Sequence, residues 1–110
     1  MAKDDMFKII YVILTELYEA KKAGEKIDTE AISSERLGIP SGYLADIVIE
    51  LINNGYVNGV SYRETKSGRI FSPIEDMSIT LDGVEYLQEN SMMKKVHMAL
   101  KNVKDIIPGI

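Results

Sequence analysis

SGYLADIVIELINNGYV, residues 41–57, is the stretch of sequence that decides the fold. After Ser41 as the N-cap, apolar side chains recur at the i, i+3, i+4, i+7 and i+8 spacing of an amphipathic helix. Gly55 can then take the left-handed conformation of a helix C-terminal cap, and Tyr56 and Val57 lead into a strand. The apolar stripe of this helix is Leu44, Ile47, Val48, Leu51 and Ile52.

An earlier helix is predicted over Asp5 to Lys22, where apolar residues again recur at spacings of three and four. Asp4 or Asp5 can cap its start, and Gly24 ends it. The stripe of this first helix is Met6, Ile9, Ile10, Ile13, Leu14 and Leu17.

A short second helix is predicted between these two. Asp28 is a good N-cap for a helix through about Ser34. The segment Leu37-Gly38-Ile39-Pro40 breaks it, because Ile39 precedes a proline and therefore avoids helical geometry. A tight turn should separate the second helix from the third.

A β-hairpin is predicted after the third helix, with its turn around Ser67-Gly68 and a bulge at Gly59. Pro73 cannot donate a ladder hydrogen bond, so the returning arm is expected to be an edge strand or to break in two, with Met77–Ile79 as the preferred paired piece. The segments are a strand over Tyr56–Tyr62, a turn over Arg63–Arg69 and a returning arm over Ile70–Ile79.

Two further helices complete the chain. Thr80 caps a helix that ends near Asn90, and Gly83 in its first turn indicates a close approach to a neighbouring backbone. Ser91 caps a long last helix, which Pro108-Gly109 ends. The apolar residues of the last helix step by four and three residues in the spacing of a heptad, and they are Met92, Val96, Ala99, Val103 and Ile106.

The order of these elements predicts an α+β, mostly helical fold: a winged helix-turn-helix domain with a β-hairpin wing and a long C-terminal helix. A plain helical bundle would leave residues 56–79 unexplained. The length suits a single domain. Within it, residues 1–90 form the winged-helix part and residues 91–110 form the helix, which packs on the domain or dimerises.

Composition excludes several classes of protein. Hydrophobic residues make up 45% and charged residues 27% of the chain, which is typical of a globular protein. With no cysteine, the chain has no disulfide, thiol nucleophile or zinc-thiolate site. The longest apolar run, Ile9–Leu14, is too short to span a membrane, and residues 1–22 lack the layout of a signal peptide. A cytoplasmic protein that makes no membrane contact is expected.

The charge distribution is uneven around a net charge of -4. In residues 1–62, Lys and Arg contribute +6 and Asp and Glu contribute -10. In residues 63–69, the basic residues contribute +3 and the acidic residue contributes -1. The corresponding counts are 0 and -5 in residues 70–90, and +4 and -1 in residues 91–110. Positive charge therefore gathers in the hairpin and in the C-terminal segment.

Two segments carry a resemblance to known proteins. Residues 27–57, together with Ile79-Thr80-Leu81-Asp82-Gly83-Val84-Glu85-Tyr86-Leu87, look like the winged-helix superfamily. Residues 85–95, EYLQENSMMKK, resemble the C-terminal signature of the YjcQ-like proteins, small winged-helix proteins of Firmicutes and their phages. The similar order of elements covers nearly the whole chain. The resemblance implies a winged-helix fold and a nucleic-acid-binding or regulatory role, with no catalytic motif.

The leading hypothesis is a dimeric DNA-binding or transcription-regulatory protein. The outward face of the third helix carries Asp46 and Glu50, which repel phosphates, although an acidic side chain can accept from cytosine and Asn53 can pair with adenine. The hairpin is the better candidate for contacts with double-stranded DNA. The proposed contact residues are Tyr43, Asn53, Tyr62, Arg63, Lys66, Arg69, Lys94 and Lys95, with Lys101 and Lys104 extending the footprint.

Three other interpretations stay open. One is a small-molecule sensor, because an apolar cavity between a winged domain and a dimerising helix can hold a ligand, although no residue of the sequence points to one. The hairpin cations and the lysines of the last helix can serve solubility alone. The chain can also be a phage-related or accessory module that binds another protein through Tyr43, Ile49 and the acidic face of the third helix, and not DNA.

No enzyme, metal site or cofactor is expected. His97 is the one histidine, and no second type of ligand clusters near it in the sequence. A homodimer is favoured because a small domain has little interior left to cover the last helix. The residues assigned to dimerisation are Met92, Val96, Ala99, Leu100, Val103 and Ile106.

Overall fold

A computed structural model describes residues 3–102 of the chain, which form an α+β, mainly helical structure. The α-helices of this part are α1 Lys3–Ala23, α2 Ser34–Leu37, α3 Ser41–Asn53, α4 Leu81–Glu89 and α5 Ser91–Asn102. The strands are β1 Val57–Asn58, β2 Tyr62–Thr65, β3 Gly68–Phe71 and β4 Ser78–Ile79. Within residues 3–102, no helix has both the length and the apolarity needed to cross a membrane.

The core forms around α1, which packs against α4, α5 and β4. The stripe predicted for this helix is confirmed, because Ile9, Ile10, Ile13, Leu14 and Leu17 are buried and Met6 is half-buried against them. Burying one such side chain contributes about 1.5–3 kcal/mol to stability. With five of them buried, α1 contributes a large part of the stability of the core. From the other elements, the most deeply buried side chains are Ile47, Ile79 and Met93.

The predicted second helix is two separate pieces. Asp28 is its N-cap as expected, accepting a hydrogen bond from the Glu30 amide, but the segment it begins is a 3-10 turn over Thr29–Ile32. Ser33 then starts α2 by accepting from the Arg36 amide at 3.1 Å. The predicted boundary near Ser34 was therefore wrong, because the Ser33 hydroxyl caps a new helical turn there.

The β structure breaks in two at Pro73, as the sequence predicts. An inner ladder pairs β1 with β4, placing Val57 opposite Ile79. An outer ladder pairs β2 with β3 and is called the hairpin (residues 62–71) below. Pro73 precedes a 3-10 turn over Ile74–Asp76, which separates the two ladders on the returning arm. On the outgoing arm, Gly59 has a φ of +81° where the ladders part.

The prediction that Arg63–Arg69 forms a turn was wrong. Arg63 lies in β2 and Arg69 in β3, and the turn itself is only Lys66-Ser67. The Thr65 hydroxyl donates to the Gly68 carbonyl at 2.7 Å and accepts from the Ser67 amide at 3.2 Å. These local bonds close a two-residue turn, so the strands extend further than their composition indicated.

The start of α4 follows the prediction, whereas the start of α5 does not. Thr80 caps α4 by accepting from the Gly83 amide at 3.0 Å. At α5, the Asn90 side-chain oxygen accepts from the Met92 amide at 2.8 Å and from the Met93 amide at 3.2 Å. Asn90, rather than Ser91, is therefore the N-cap of the last helix.

The buried face of α5 differs from the predicted heptad stripe. Met93, Val96 and Leu100 are buried in the domain's own interior, where α5 packs against α1 and α4. Two residues assigned to dimerisation, Val96 and Leu100, are therefore covered by their own chain and unavailable to a second subunit. Met92 is half-buried and Ala99 is exposed. Val103 and Ile106, also assigned to dimerisation, lie outside the described residues, as does Lys104.

Candidate nucleic-acid interface

A groove of about 460 Å³ lies between the first half of α3 and the hairpin. The helix contributes Ser41, Gly42 and Ala45 to one wall. The hairpin supplies the other wall with Glu64, Thr65, Gly68, Arg69 and Phe71. This arrangement places the start of α3 beside the charged hairpin that the sequence predicts for phosphate contact.

The N-terminus of α3 is open toward solvent. Pro40 occupies the N-cap position and no side chain caps the helix, so Ser41 is the first helical residue and not the predicted cap. The first amides of any α-helix have no partner within the helix. No acidic residue lies in the first turn, and nothing lies within 4 Å of the position that a Cβ on Gly42 would occupy. Donors and a partial positive charge therefore face the groove.

Arg69 is paired with an acidic residue of α3. Its Nη1 donates to Asp46 Oδ1 at 2.6 Å, and its Nε lies 4.0 Å from Glu64 Oε2. Because both side chains of the closer pair are partly exposed, the pair contributes less than about 1 kcal/mol to stability. It nevertheless neutralises Asp46, the acidic residue on α3 nearest the groove.

The strand register separates the three predicted hairpin cations. Arg69 is opposite Glu64 on the face toward α3, whereas Arg63 is opposite Ile70 on the other face. Lys66 lies in the exposed turn at the tip. Within residues 3–102, neither Arg63 nor Lys66 takes part in a salt bridge. Two of the three cations are therefore available to a ligand, one at the tip and one on the outer face.

The remaining predicted contact residues are more scattered. Tyr62 is half-buried, with its ring centroid 6.0 Å from that of Phe71, and Tyr43 is half-buried against the core. Asn53 is exposed but is the last residue of α3, about 18 Å along the helix axis from Ser41. Lys94 and Lys95 are exposed on α5, whose main packing partners are α1 and α4. The structure thus gathers the hairpin residues but not the full predicted set.

The ion pair between Asp46 and Arg69 was not predictable from the sequence, because no local pattern connects positions this far apart. The open start of α3 did leave a signal, because Pro40 has no side-chain acceptor to offer at an N-cap. Within residues 3–102, no three His, Asp or Glu side chains group closely enough to hold a metal ion.

A model of one protein family matches this chain. The family is described as YjcQ protein, and the match covers residues 11–106. No curated protein and no solved structure matches the chain. The family match includes the whole groove and the hairpin, and it agrees with the resemblance found in residues 85–95.

Proposed function

The chain belongs to the YjcQ protein family, and we propose that it is a winged-helix protein that binds duplex DNA through backbone phosphates. In this proposal the hairpin is the wing and α3 is the helix that approaches the DNA. The role is regulatory and cytoplasmic, and it requires no catalysis, metal ion or cofactor.

The observation that carries the proposal is the open N-terminus of α3 beside the hairpin. Backbone amides at a helix start, together with cationic side chains, are the groups that commonly bind phosphate oxygens. Lys66 at the hairpin tip and Arg63 on the outer face of the hairpin have no salt-bridge partners within residues 3–102, so each can bind a phosphate next to the one at the start of α3. Asp46, which would repel a phosphate, is already neutralised by Arg69.

The number of hairpin cations without a salt bridge determines the salt dependence of binding that we expect. Each phosphate that a protein neutralises adds about -0.9 to the slope of log affinity against log salt concentration. With Arg63 and Lys66 as the available hairpin cations, we expect a slope of about -2. Between about 50 and 200 mM salt, affinity should then fall roughly tenfold. This is a shallower dependence than three free hairpin cations and additional lysines on α5 would give.

Fluorescence anisotropy with a labelled random-sequence duplex tests the proposal at those two salt concentrations. The variant Arg63→Ala/Lys66→Ala should bind more weakly, and its salt dependence should be nearly flat. The control Lys8→Ala/Lys21→Ala removes the same charge from exposed positions on α1, away from the groove, and should behave like the wild type. Equal loss in both variants would show that only net charge matters, and unchanged binding in the hairpin variant would refute the proposal.

A second candidate function, binding of another protein, is favoured by the apolar character of the outer face of the hairpin. Ile70 is 48% exposed there, opposite Arg63. Protein interfaces have an apolar centre and are enriched in arginine, so a partner can contact Ile70 and Arg63 together. Ile70→Ser should remove a partner captured from lysate if this role is right, and it should leave DNA affinity unchanged if the phosphate-binding role is right.

The homodimer expected from the sequence remains a proposal. The surface of α5 that a second subunit could contact is smaller than predicted, because Val96 and Leu100 are buried within their own chain. Of the six assigned residues, Met92 and Ala99 are the described ones that reach solvent on α5. Sedimentation equilibrium of the full chain tests this directly. An Ala99→Asp variant should dissociate a dimer that uses this face, and a wild-type chain that sediments as a monomer would exclude one.

A further inference from the structure

A second groove, also of about 460 Å³, lies between α1 and α5 and is bordered by the end of α4. None of the residues that border it belongs to the groove beside the hairpin. Its volume falls within the range of about 300–1,000 Å³ that is usual for sites of small molecules. The residues that matter for its chemistry are Tyr11, Thr15, Tyr18, Lys94, His97 and Met98.

The two long helices present matching faces to this groove. Tyr11, Thr15 and Tyr18 follow the i, i+4, i+7 spacing of one face of α1. On α5, His97 and Met98 lie one turn after Lys94 and share its face. The wall is therefore mainly aromatic and apolar, and the thioether of Met98 is 53% exposed at its edge. Aromatic rings and a flexible thioether are well suited to contact a flat, apolar ring.

The polar groups of the groove mainly offer hydrogen-bond donors. The Tyr11 hydroxyl oxygen and His97 Nδ1 lie 2.7 Å apart in a hydrogen bond whose direction depends on the imidazole tautomer. In the tautomer in which Tyr11 donates, the ring proton is on Nε2. The His97 side chain is exposed, so this Nε2–H can donate to a ligand. The Thr15 hydroxyl is buried at the groove and has no hydrogen-bond partner within the described residues.

The charged rim favours an anion over a cation. Lys94 is one turn from His97, and its Nζ is 4.0 Å from Glu89 in an exposed pair that holds it only weakly. Lys22 lies 4.6 Å from the centre of the Tyr18 ring and 3.1 Å from Glu19. The carboxylate that borders the groove is thus already paired, whereas Lys94 and His97 together can receive a negative group.

We propose that the groove between α1 and α5 binds a small aromatic molecule that carries a carboxylate. Its ring lies against Tyr11, Tyr18 and Met98, and its carboxylate accepts from His97 Nε2 and Lys94 Nζ. This site is independent of the proposed DNA contact, so either proposal can fail without the other.

Three probes with the same ring test the proposal: indoleacetate, indole and tryptamine, which are anionic, neutral and cationic. The chain contains no tryptophan, so the emission of the indole ring reports on the probe alone. Titration of the full chain should show saturable binding of one indoleacetate per chain. Tryptamine should bind at least about tenfold more weakly, because it forfeits a charge-assisted hydrogen bond.

Variants separate the ring contact from the charge contact. Lys94→Glu should weaken indoleacetate about tenfold and reverse the preference toward tryptamine. Met98→Ala should weaken all three probes. The control Leu81→Ala removes a more exposed apolar side chain, 75% exposed at the start of α4, and should change nothing.

Several outcomes would overturn the proposal. No saturable binding of any probe would exclude the site. Equal binding of the three probes, or an indoleacetate affinity unaffected by Lys94→Glu, would exclude the carboxylate contact. A loss in Leu81→Ala equal to that in Met98→Ala would show general adsorption to apolar surface.

Discussion

Asp46 Oδ1 accepts a hydrogen bond from Arg69 Nη1 at 2.6 Å, joining the first half of α3 to the returning strand of the hairpin. The pair changes the electrostatics of the groove in two ways. It cancels an acidic charge that would repel phosphates, and it withholds a cation that would attract them. In the proposed DNA contact, the number of phosphates that the hairpin would neutralise therefore depends on Asp46, a residue of a different element.

The first prediction follows from this pair. Asp46→Asn removes the closer of the two carboxylates that pair with Arg69 and leaves Glu64 at 4.0 Å, so the slope of log DNA affinity against log salt concentration should steepen by at most about 0.9. Affinity near 50 mM salt should rise, as measured by anisotropy with the labelled duplex.

The control for this prediction is Glu50→Gln, which removes an acidic charge from the same helix. Within the described residues Glu50 has no salt bridge, so its replacement frees no cation. It should raise affinity slightly and leave the slope unchanged. If Asp46→Asn and Glu50→Gln gave the same slope, Arg69 would not be the cation that Asp46 withholds.

Close packing of α4 against β4 and against Tyr56, the residue before β1, leads to a second prediction. A Cβ on Gly83 would overlap the carbonyl oxygen of Tyr56 and the side chain of Ile79, so Gly83→Ala should destabilise the domain by about 2 kcal/mol. Gly42→Ala is the matched control, because nothing lies within 4 Å of the added Cβ and the substitution should stabilise by about 0.5 kcal/mol. Urea unfolding measures both, and equal effects would contradict the packing argument.

Capping of α5 gives a third prediction that separates two neighbouring residues. Asn90→Ala should destabilise the domain by about 1 kcal/mol, because the amides of Met92 and Met93 lose their acceptor. Ser91→Ala, at the residue that the sequence suggested as the cap, should have little effect on the urea midpoint. The opposite order of the two effects would assign the cap to Ser91.

The stacked pair of Tyr56 and Tyr86, with ring centroids 4.4 Å apart, gives a fourth prediction. Burial, and secondly the charge of Tyr56, raises the pKa of the Tyr86 hydroxyl above the ordinary value of 10.0. The unfolded chain releases this proton at a lower pH than the folded chain, so deprotonation favours unfolding. The contribution of the Tyr86 hydroxyl to the free energy of unfolding is therefore fully present below pH 10.0. It is lost as pH rises through the folded-state pKa.

Urea unfolding across this alkaline range measures the Tyr86 contribution. Wild type should lose more stability than Tyr86→Phe, which has no hydroxyl to titrate. Parallel losses in the two proteins would contradict the raised pKa.

The helices were largely predictable because their apolar spacing is local and strong. The stripes of α1 and α3 needed no knowledge of tertiary structure, and Pro73 correctly indicated a break in the returning arm. The face of α5 was harder to assign. A spacing of three and four residues fits both the predicted stripe with Met92 and Ala99 and the buried one with Met93 and Leu100. Which stripe is buried depends on how α5 packs against α1 and α4, which the spacing does not show.

The site was less predictable than the helices because its properties depend on pairing across the fold. Composition correctly identified a cluster of cations in residues 63–69. It could not show that the strand register directs Arg63 and Arg69 to opposite faces, because the register is set by the local bonds of Thr65. The ion pair between Asp46 and Arg69 likewise depends on how the hairpin lies against α3.

Because the β structure is divided into two ladders, the hairpin can be replaced by a different hairpin. The inner ladder buries Val57 and Ile79 in the core, whereas the outer ladder contributes only half-buried or exposed side chains. Val60 is buried in the core, so a different hairpin could be grafted between Val60 and Pro73 without shifting the register of the inner ladder. Such a scaffold can diversify what it recognises through one short insert while its interior stays the same.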